Sequence, residues 1–302
     1  MIKRITEIGI AVRDLATSGP RLHGILGAQR GTVLRSDEYD MVAQMFRTGN
    51  IEFELMQPLH PGGIIGEFLQ KRGEGLHHIA FQVENIVETL TWMKKHRVKM
   101  INEQPVSVDD LKAAFLHPES CGGVLIELIE GIPKHVDNRA LPSELQAQVL
   151  EEGIGVEGIL EVGILVRDLE TTSNIYSNIF LPDASEIVTL DQSSVRIRML
   201  RVGNVNLKLM EITRKADPST VLSGKCGFGL NHVILKVKSI KAAIAYLTRK
   251  GIALVRDPLS ASYDSKALLI HPKELSGIPV FLRGEVDLIS SSIVTDAGEI
   301  FH

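Results

Sequence analysis

Four apolar stretches of the chain carry an ionisable side chain where a buried strand ordinarily holds an aliphatic one. They are EIGIAV with Glu7, IEFELM with Glu52 and Glu54, HHIAF with His77 and His78, and VLIELI with Glu127. Successive side chains of a strand point to opposite faces, so Ile51, Phe53 and Leu55 share one face while Glu52, Glu54 and Met56 share the other. Glu127 likewise falls on the face of Leu125 and Ile129. A carboxylate among apolar neighbours is costly to bury unless a cation or a donor meets it. Glu7, Glu54 and Glu127 with the imidazole of His78 make a sensible donor set for a divalent ion whose shell is completed by water. The residues alone leave alternatives open. A strand histidine is commonly a hydrogen-bonded structural residue, and Glu52 becomes the inward group if the register slips. By alternation, His77 points away from His78, toward a helix or the outer surface.

The elements that must position these groups come in repeats. EIGIAVRDL at Glu7–Leu15 recurs as EVGILVRDL at Glu161–Leu169, an offset of 154 residues. The same offset carries Gly49-Asn50 onto Gly203-Asn204, Leu55-Met56 onto Leu209-Met210, His78 onto His232, and His117-Pro118 onto His271-Pro272. One offset serving separated landmarks means duplication. The expected organisation is a module at 1–132, a linker at 133–155, a second module at 156–285 and a tail at 286–302, with SELQAQVLEE free to form a helix capped by Ser143. Each module also repeats loosely within itself. An apolar run ends in Val-x-Asp or Val-x-Asn, and apolar residues then follow at helical spacing: Leu15, Leu22 and Leu26, then Ile86, Leu90 and Met93. MVAQMFRTG, NIEFELMQP, KAAFLHP and GVLIELIE read as further strands. A strand, a helix and several strands, used four times, predict an α+β fold with one curved sheet per module.

Composition narrows the partners. A formal charge of −4 with no long basic run gives no reason to expect nucleic acid or an anionic membrane, which leaves small molecules. Cys121 and Cys226, one in each half, argue against a disulfide framework and for a reducing compartment. No run approaches the roughly 18 apolar residues of a membrane helix, and no signal segment is apparent, so a cytoplasmic location is expected. His117-Pro118 reads as a strand-ending turn. GEGL reads as a glycine turn and not a phosphate loop, because it lacks the strand–GxGxxG–helix context.

The strings HHIAFQV, FLHPESCGGVLIELIE and IGEFLQKRGEGLHH resemble the methylmalonyl-CoA epimerase family and, more broadly, the vicinal-oxygen-chelate superfamily that includes glyoxalase I. The resemblance spans most of 5–130 and, more weakly, 157–285. It implies two glyoxalase-like modules, each of two βαβββ units forming a cupped mixed or antiparallel sheet. It also implies a divalent metal (Mn, Co, Ni, Zn, Fe or Mg) held by Glu7, Glu54, His78 and Glu127 from four strands. The implied chemistry is proton abstraction beside a carbonyl, as in an epimerase or lyase, with Glu127 as base and Glu7 as a second carboxylate. The implied substrate is a small thioester or carboxylate, and a homodimer is allowed. This chain departs from the epimerase pattern at Glu7, where that family has histidine; some glyoxalases carry glutamine there. The runner-up reading is a binder of the bleomycin-resistance type without chemistry. An extradiol dioxygenase ranks last, since it ordinarily needs two histidines and one carboxylate.

The second copy cannot build the same site. At the common offset it has Glu161, Lys208, His232 and Phe281, so it is expected to be a degenerate partner, with Lys208 close to Glu161 where the first copy would hold its metal. On VRIRMLR, Arg196 and Arg198 share a face and are free to meet a carboxylate or phosphate. VSVDDLKAA and HPGGIIGEFLQ are expected to be the loops that set specificity.

Overall fold

In the computed structural model the described residues are 2–108, 111–131, 153–190, 195–213, 227–256 and 268–284. The linker helix suggested after Ser143, the tail and Cys226 lie outside them. The first module runs β1 (Ile2–Ala11), α1 (Leu15–Leu26), β2 (Gln29–Ser36), β3 (Met41–Thr48), β4 (Ile51–Pro58), α2 (Ile64–Arg72), β5 (Gly75–Val83), α3 (Ile86–Lys95), β6 (Val106–Val108), β7 (Leu111–Leu116) and β8 (Leu125–Glu130). The second runs β9 (Val156–Leu165), α4 (Leu169–Phe180), β10 (Asp183–Ala184), β11 (Val188–Leu190), β12 (Val195–Val202), β13 (Val205–Ile212), β14 (Gly229–Val237), α5 (Ile240–Arg249), β15 (Leu254–Arg256), β16 (Leu268–Ile270) and β17 (Val280–Arg283).

Each module is one mixed sheet. The order is β2-β3-β4-β1-β5-β8-β7-β6 in the first and β10-β12-β13-β9-β14-β17-β16-β15 in the second, where β11 also pairs with β12. The repeated Val-x-Asp/Asn signature is a strand end followed by a helix cap. The Asp14 side chain accepts from Ala16 N, Asn85 from Glu88 N and Asp168 from Thr171 N, which meets backbone donors left over in the first turn.

Alternation divides every central strand. Ile8 and Ile10 of β1 and Phe53 and Leu55 of β4 face the helices and join Leu22, Ile25, Leu90 and Met93 in a buried cluster. That cluster continues into the second module through Val162, Ile164, Tyr176 and Leu247, and the Phe81 and Phe180 rings lie 5.0 Å apart. The helix-bearing faces of the two sheets therefore pack on each other, and the opposite faces form separate cups. The seam has an approximate two-fold. Ile159 N donates to Asn50 Oδ1 at 3.1 Å and Ile5 N to Asn204 Oδ1 at 3.0 Å. Trp92 Nε1 donates to the Asn178 carbonyl and the Tyr246 hydroxyl to the Gly24 carbonyl.

Two expected loops are partly regular. HPGGIIGEFLQ enters α2, whose Ile65 and Leu69 pack on Ala11, Ala43 and Met56 and roof one end of the first cup. The Gly62-Gly63 pair marks a turn, but the Ile65/Leu69 spacing behind it is helical and has an apolar surface to cover. VSVDDLKAA forms β6 and most of β7 around residues 109–110. No helix among the described residues is long and apolar enough to cross a membrane.

Candidate metal centre

Four adjacent strands, β4, β1, β5 and β8, deliver the four candidate side chains to one face. Glu54 of β4 lies beside Gly9 of β1, Gly9 lies opposite His78 of β5, and Ala80 lies beside Glu127 of β8. The His78 ring rests directly over Gly9. A Cβ built there would stand 2.1 Å from Cε1, so any larger residue would evict the imidazole. The second module repeats this with His232 over Gly163, also at 2.1 Å. A glycine inside an apolar strand is the sequence signal for such an approach.

The side chains converge. His78 Nε2 lies 3.4 Å from Glu7 Oε1, 3.4 Å from Glu127 Oε2 and 3.7 Å from Glu54 Oε2. The imidazole is 4% exposed and the three carboxylates 10–14%. Glu7, Glu54 and His78 each offer one ligand atom within 4.8 Å of the others, and Glu127 joins this trio through His78. Glu52 shares the cup face, lying beside Glu7 and opposite Arg47, outside that trio.

Contrary to what alternation alone predicts, His77 is not turned fully away from His78. The pairing of β1 with β5 steps from Gly9–His78 to Ile10–Leu76, leaving His77 as the extra residue of a β-bulge and breaking strict alternation. Its ring does pack on a helix residue, Phe68 of α2, at 4.9 Å between centroids. Its Nδ1, however, lies 3.2 Å from Nδ1 of His78. Burial first, then the neighbouring His78 and Arg72 charges, pull His77 down to about 3, which keeps it neutral. A neutral His77 Nδ1 can accept the Nδ1 proton of His78 and turn the His78 Nε2 lone pair toward the carboxylates, the kind of outer partner that orients metal-bound imidazoles.

The electrostatics call for a cation. Burial, then the charges of Glu7 and Glu127, push Glu54 up to about 8, against the attraction of His78. Burial also raises Glu7. Burial would lower His78, but hydrogen bonds to Glu127 and Glu7 and the carboxylate charges win and raise it to about 10. Burial first and then like-charge crowding raise the carboxyls, and a divalent ion would offset both. The donor set, three carboxylate oxygens and one imidazole, suits a hard or borderline divalent ion with water. Cys121, the one cysteine among the described residues, is buried and contributes no ligand; its carbonyl accepts from the Tyr176 hydroxyl.

In the second cup, Lys208 Nζ lies 3.4 Å and His232 Nε2 3.5 Å from Glu161 Oε1. The Lys208 ammonium thus sits beside Glu161 as its sequence position predicts. Both distances are at the outer limit of a hydrogen bond, so charge more than directed bonding holds the group. Burial would raise Glu161, yet the His232 and Lys208 contacts prevail and hold it below the ordinary carboxylate range. Phe281 stands where the first cup has Glu127 and packs edge-on to His232, with centroids 5.1 Å apart. Arg196 meets the protein's own carboxylates, Glu211 at 2.8 Å and Glu170 of α4, while Arg198 Nε donates to the Ser185 carbonyl. The His117-Pro118 turn is a short 3-10 helix in which His117 Nδ1 accepts from Glu119 N.

A family model described as the glyoxalase/bleomycin resistance protein/dioxygenase superfamily matches residues 6–115 and again 161–266. The chain belongs to this superfamily. Its first module is 35% identical over 127 residues to human mitochondrial methylmalonyl-CoA epimerase, covering 41% of this chain and 72% of that one. It is 30% identical over 131 residues to the ethylmalonyl-CoA/methylmalonyl-CoA epimerase of Cereibacter sphaeroides, covering 42% and 98%. Over both modules, the fold is similar to a variant of 4-hydroxymandelate synthase from Streptomyces coelicolor, at TM-score 0.69 and 15% identity, covering 94% of this chain and 92% of that one. The superfamily's pair of curled α+β modules is thus present, and among the described residues only the first cup gathers three carboxylates and a histidine.

Proposed function

We propose that the first module is a divalent-metal-dependent epimerase that moves a proton at the carbon beside the carbonyl of an acyl-CoA thioester of the methylmalonyl type. The observation that carries this reading is the placement of Glu7 and Glu127 on different strands, each 3.4 Å from the same imidazole nitrogen. The epimerase names of the similar proteins support the substrate class.

Glu7, Glu54, Glu127 and His78 are the residues that would hold the ion. When bound, the ion polarises the thioester oxygen and acidifies the adjacent C–H. Glu127, as carboxylate, takes that proton while the carbon's electron pair moves onto the thioester oxygen. Glu7, when released from the ion and so able to carry a proton, would return one to the opposite face. One carboxyl gains a proton and the other loses one, and the roles reverse for the other stereoisomer. α2 and its apolar contacts with Ala11 and Met56 shield the cup from water at one end.

The test is exchange of the C2 proton of methylmalonyl-CoA with deuterium, followed by NMR on the full chain loaded with Mn²⁺ or Co²⁺. Glu127→Gln should slow exchange by roughly 10²–10⁴-fold, the usual contribution of a positioned base. Exchange that survives both chelation and Glu127→Gln would sink the reading.

A further inference from the structure

Between the modules lies a crevice of about 440 Å³, lined from the first module by Arg13, Phe68, Arg72 and Glu74 and from the second by His271 and Lys273, among others. That volume is within the range of small-ligand sites. We propose that this crevice receives the phosphorylated nucleotide end of the substrate, with Arg13, Arg72 and Lys273 meeting its phosphates. The identity of that substrate as a CoA thioester rests on the function proposed above.

Three observations support it. The first is charge. Three cations face one lining carboxylate, Glu74, whose Oε1 is already engaged by the backbone N–H of Arg13 at 2.7 Å. Arg72 is fixed across the seam by donating to the Phe228 carbonyl at 3.1 Å, and a guanidinium presents several further donors in a planar fork that suits phosphate. Lys273 Nζ has Glu274 at 3.8 Å, a distance too long for a tight pair.

The second is continuity with the metal cup. Phe68 lines the crevice and also stacks against His77, whose ring lies 5.4 Å from that of His78. β5 runs from Gly75 at the crevice to His78 in three residues, roughly 10 Å of strand. The flexible arm of a CoA thioester is long enough to join two such points.

The third is a built-in control. The two-fold seam generates a second, equivalent position, where, among the described residues, the 154-residue offset replaces Glu74 by Phe228 and Lys273 by Glu119. Arg13 is retained there as Arg167, but its guanidinium lies 4.3 Å from the Phe228 ring centroid. Glu119 is paired with Lys99 at 2.6 Å. Of the crevice cations with described equivalents there, Arg13 is kept as Arg167 and Lys273 is exchanged for the carboxylate of Glu119.

The experiment uses the full chain and two probes. Calorimetry with adenosine 3′,5′-bisphosphate, the nucleotide end alone, should show binding that falls at least tenfold in Arg72→Ala and in Lys273→Ala and is unchanged in His78→Ala. In kinetics, the same two variants should raise KM for the complete CoA thioester with kcat unchanged, and leave KM for the pantetheine thioester, which lacks the nucleotide, as it was. Absent bisphosphate binding, or binding indifferent to both cation variants, overturns the proposal even if proton exchange is observed. Absent proton exchange with cation-dependent bisphosphate binding overturns the epimerase reading and leaves the crevice standing as a nucleotide-phosphate site.

Discussion

The two cups of this chain are built on the same sheet order, with the same histidine resting over the same glycine, yet their electrostatics run in opposite directions. In the first, three carboxylates crowd one imidazole, and Glu7 and Glu54 are pushed up. In the second, a lysine has replaced one carboxylate and a phenylalanine another, and the remaining Glu161 is pulled down. The same sheet order and the same histidine over glycine therefore carry two different charge arrangements. Two side-chain differences, Glu54 against Lys208 and Glu127 against Phe281, separate a cup whose carboxylates crowd one another from a cup in which a lysine meets the carboxylate.

The sharpest way to break this comparison is to remove each histidine in turn. His78→Ala should abolish stoichiometric metal, a larger loss than the roughly 10–100-fold that an outer-sphere partner costs, while His232→Ala leaves the metal content unchanged. Elemental analysis of the purified variants decides it; equal loss in both would mean that the cups are not distinct.

Next in size is Lys208→Met, which leaves Glu161 buried without its nearest cation and should cost about 3 kcal/mol at neutral pH. The folded-state pKa of Glu161 is lowered, so its pairing stabilises above the unfolded value of 4.5 and is lost as pH falls through the folded value. Urea melts of wild type and variant should accordingly converge in acid. A gap that stays constant with pH would show that packing, not charge, is what the lysine provides.

A third effect concerns the first cup without metal. Glu54, near 8, and His78, near 10, both hold protons at pH 6–7, and a ligating carboxylate and imidazole must give them up. Metal affinity should rise about tenfold per pH unit for each proton displaced. Calorimetry in buffers of different ionisation enthalpy counts these protons; none released on binding would contradict the assignment of Glu54 and His78. The same raised values mean that the metal-free fold is penalised as pH rises from about 4.5 through 8 at Glu54. At His78 the trend runs the same way, since its gain is complete below about 6.5 and fades as pH rises through 10.

The smallest effect tests what the modules share. Asn50→Ala and Asn204→Ala each remove one side-chain acceptor from equivalent places in the seam and should cost about 1 kcal/mol apiece. Markedly unequal costs in thermal melts would mean that the seam is as asymmetric as the cups.

Much of this was legible in the sequence because duplication supplies its own alignment. The offset from Glu7 to Glu161 located the strands, and comparing Glu54 with Lys208 and Glu127 with Phe281 showed which copy keeps the four candidate ligands. Side-chain alternation chose the correct faces of β4 and β8. It failed at His77, because a β-bulge adds a residue without a local signature. α2 was hidden behind Gly62-Gly63, and its helical character depends on the apolar surface it covers. The crevice cations were beyond reach for a different reason. Arg13, Arg72 and Lys273 are far apart in the chain and unremarkable singly, and only the packing of one module on the other brings them together.

That packing also has a consequence for how the chain is made. Phe81 and its neighbours on the helix-bearing side of the first sheet are covered by Phe180 and the rest of α4. A growing polypeptide completes the first half at Glu130, roughly fifty residues ahead of Phe180, about 2.5–10 s at ordinary rates of translation. For that interval the nascent first module exposes an oily surface shaped to fit a sheet like its own. Neighbouring ribosomes on one message would carry matching surfaces, and the second half must arrive before those copies find each other.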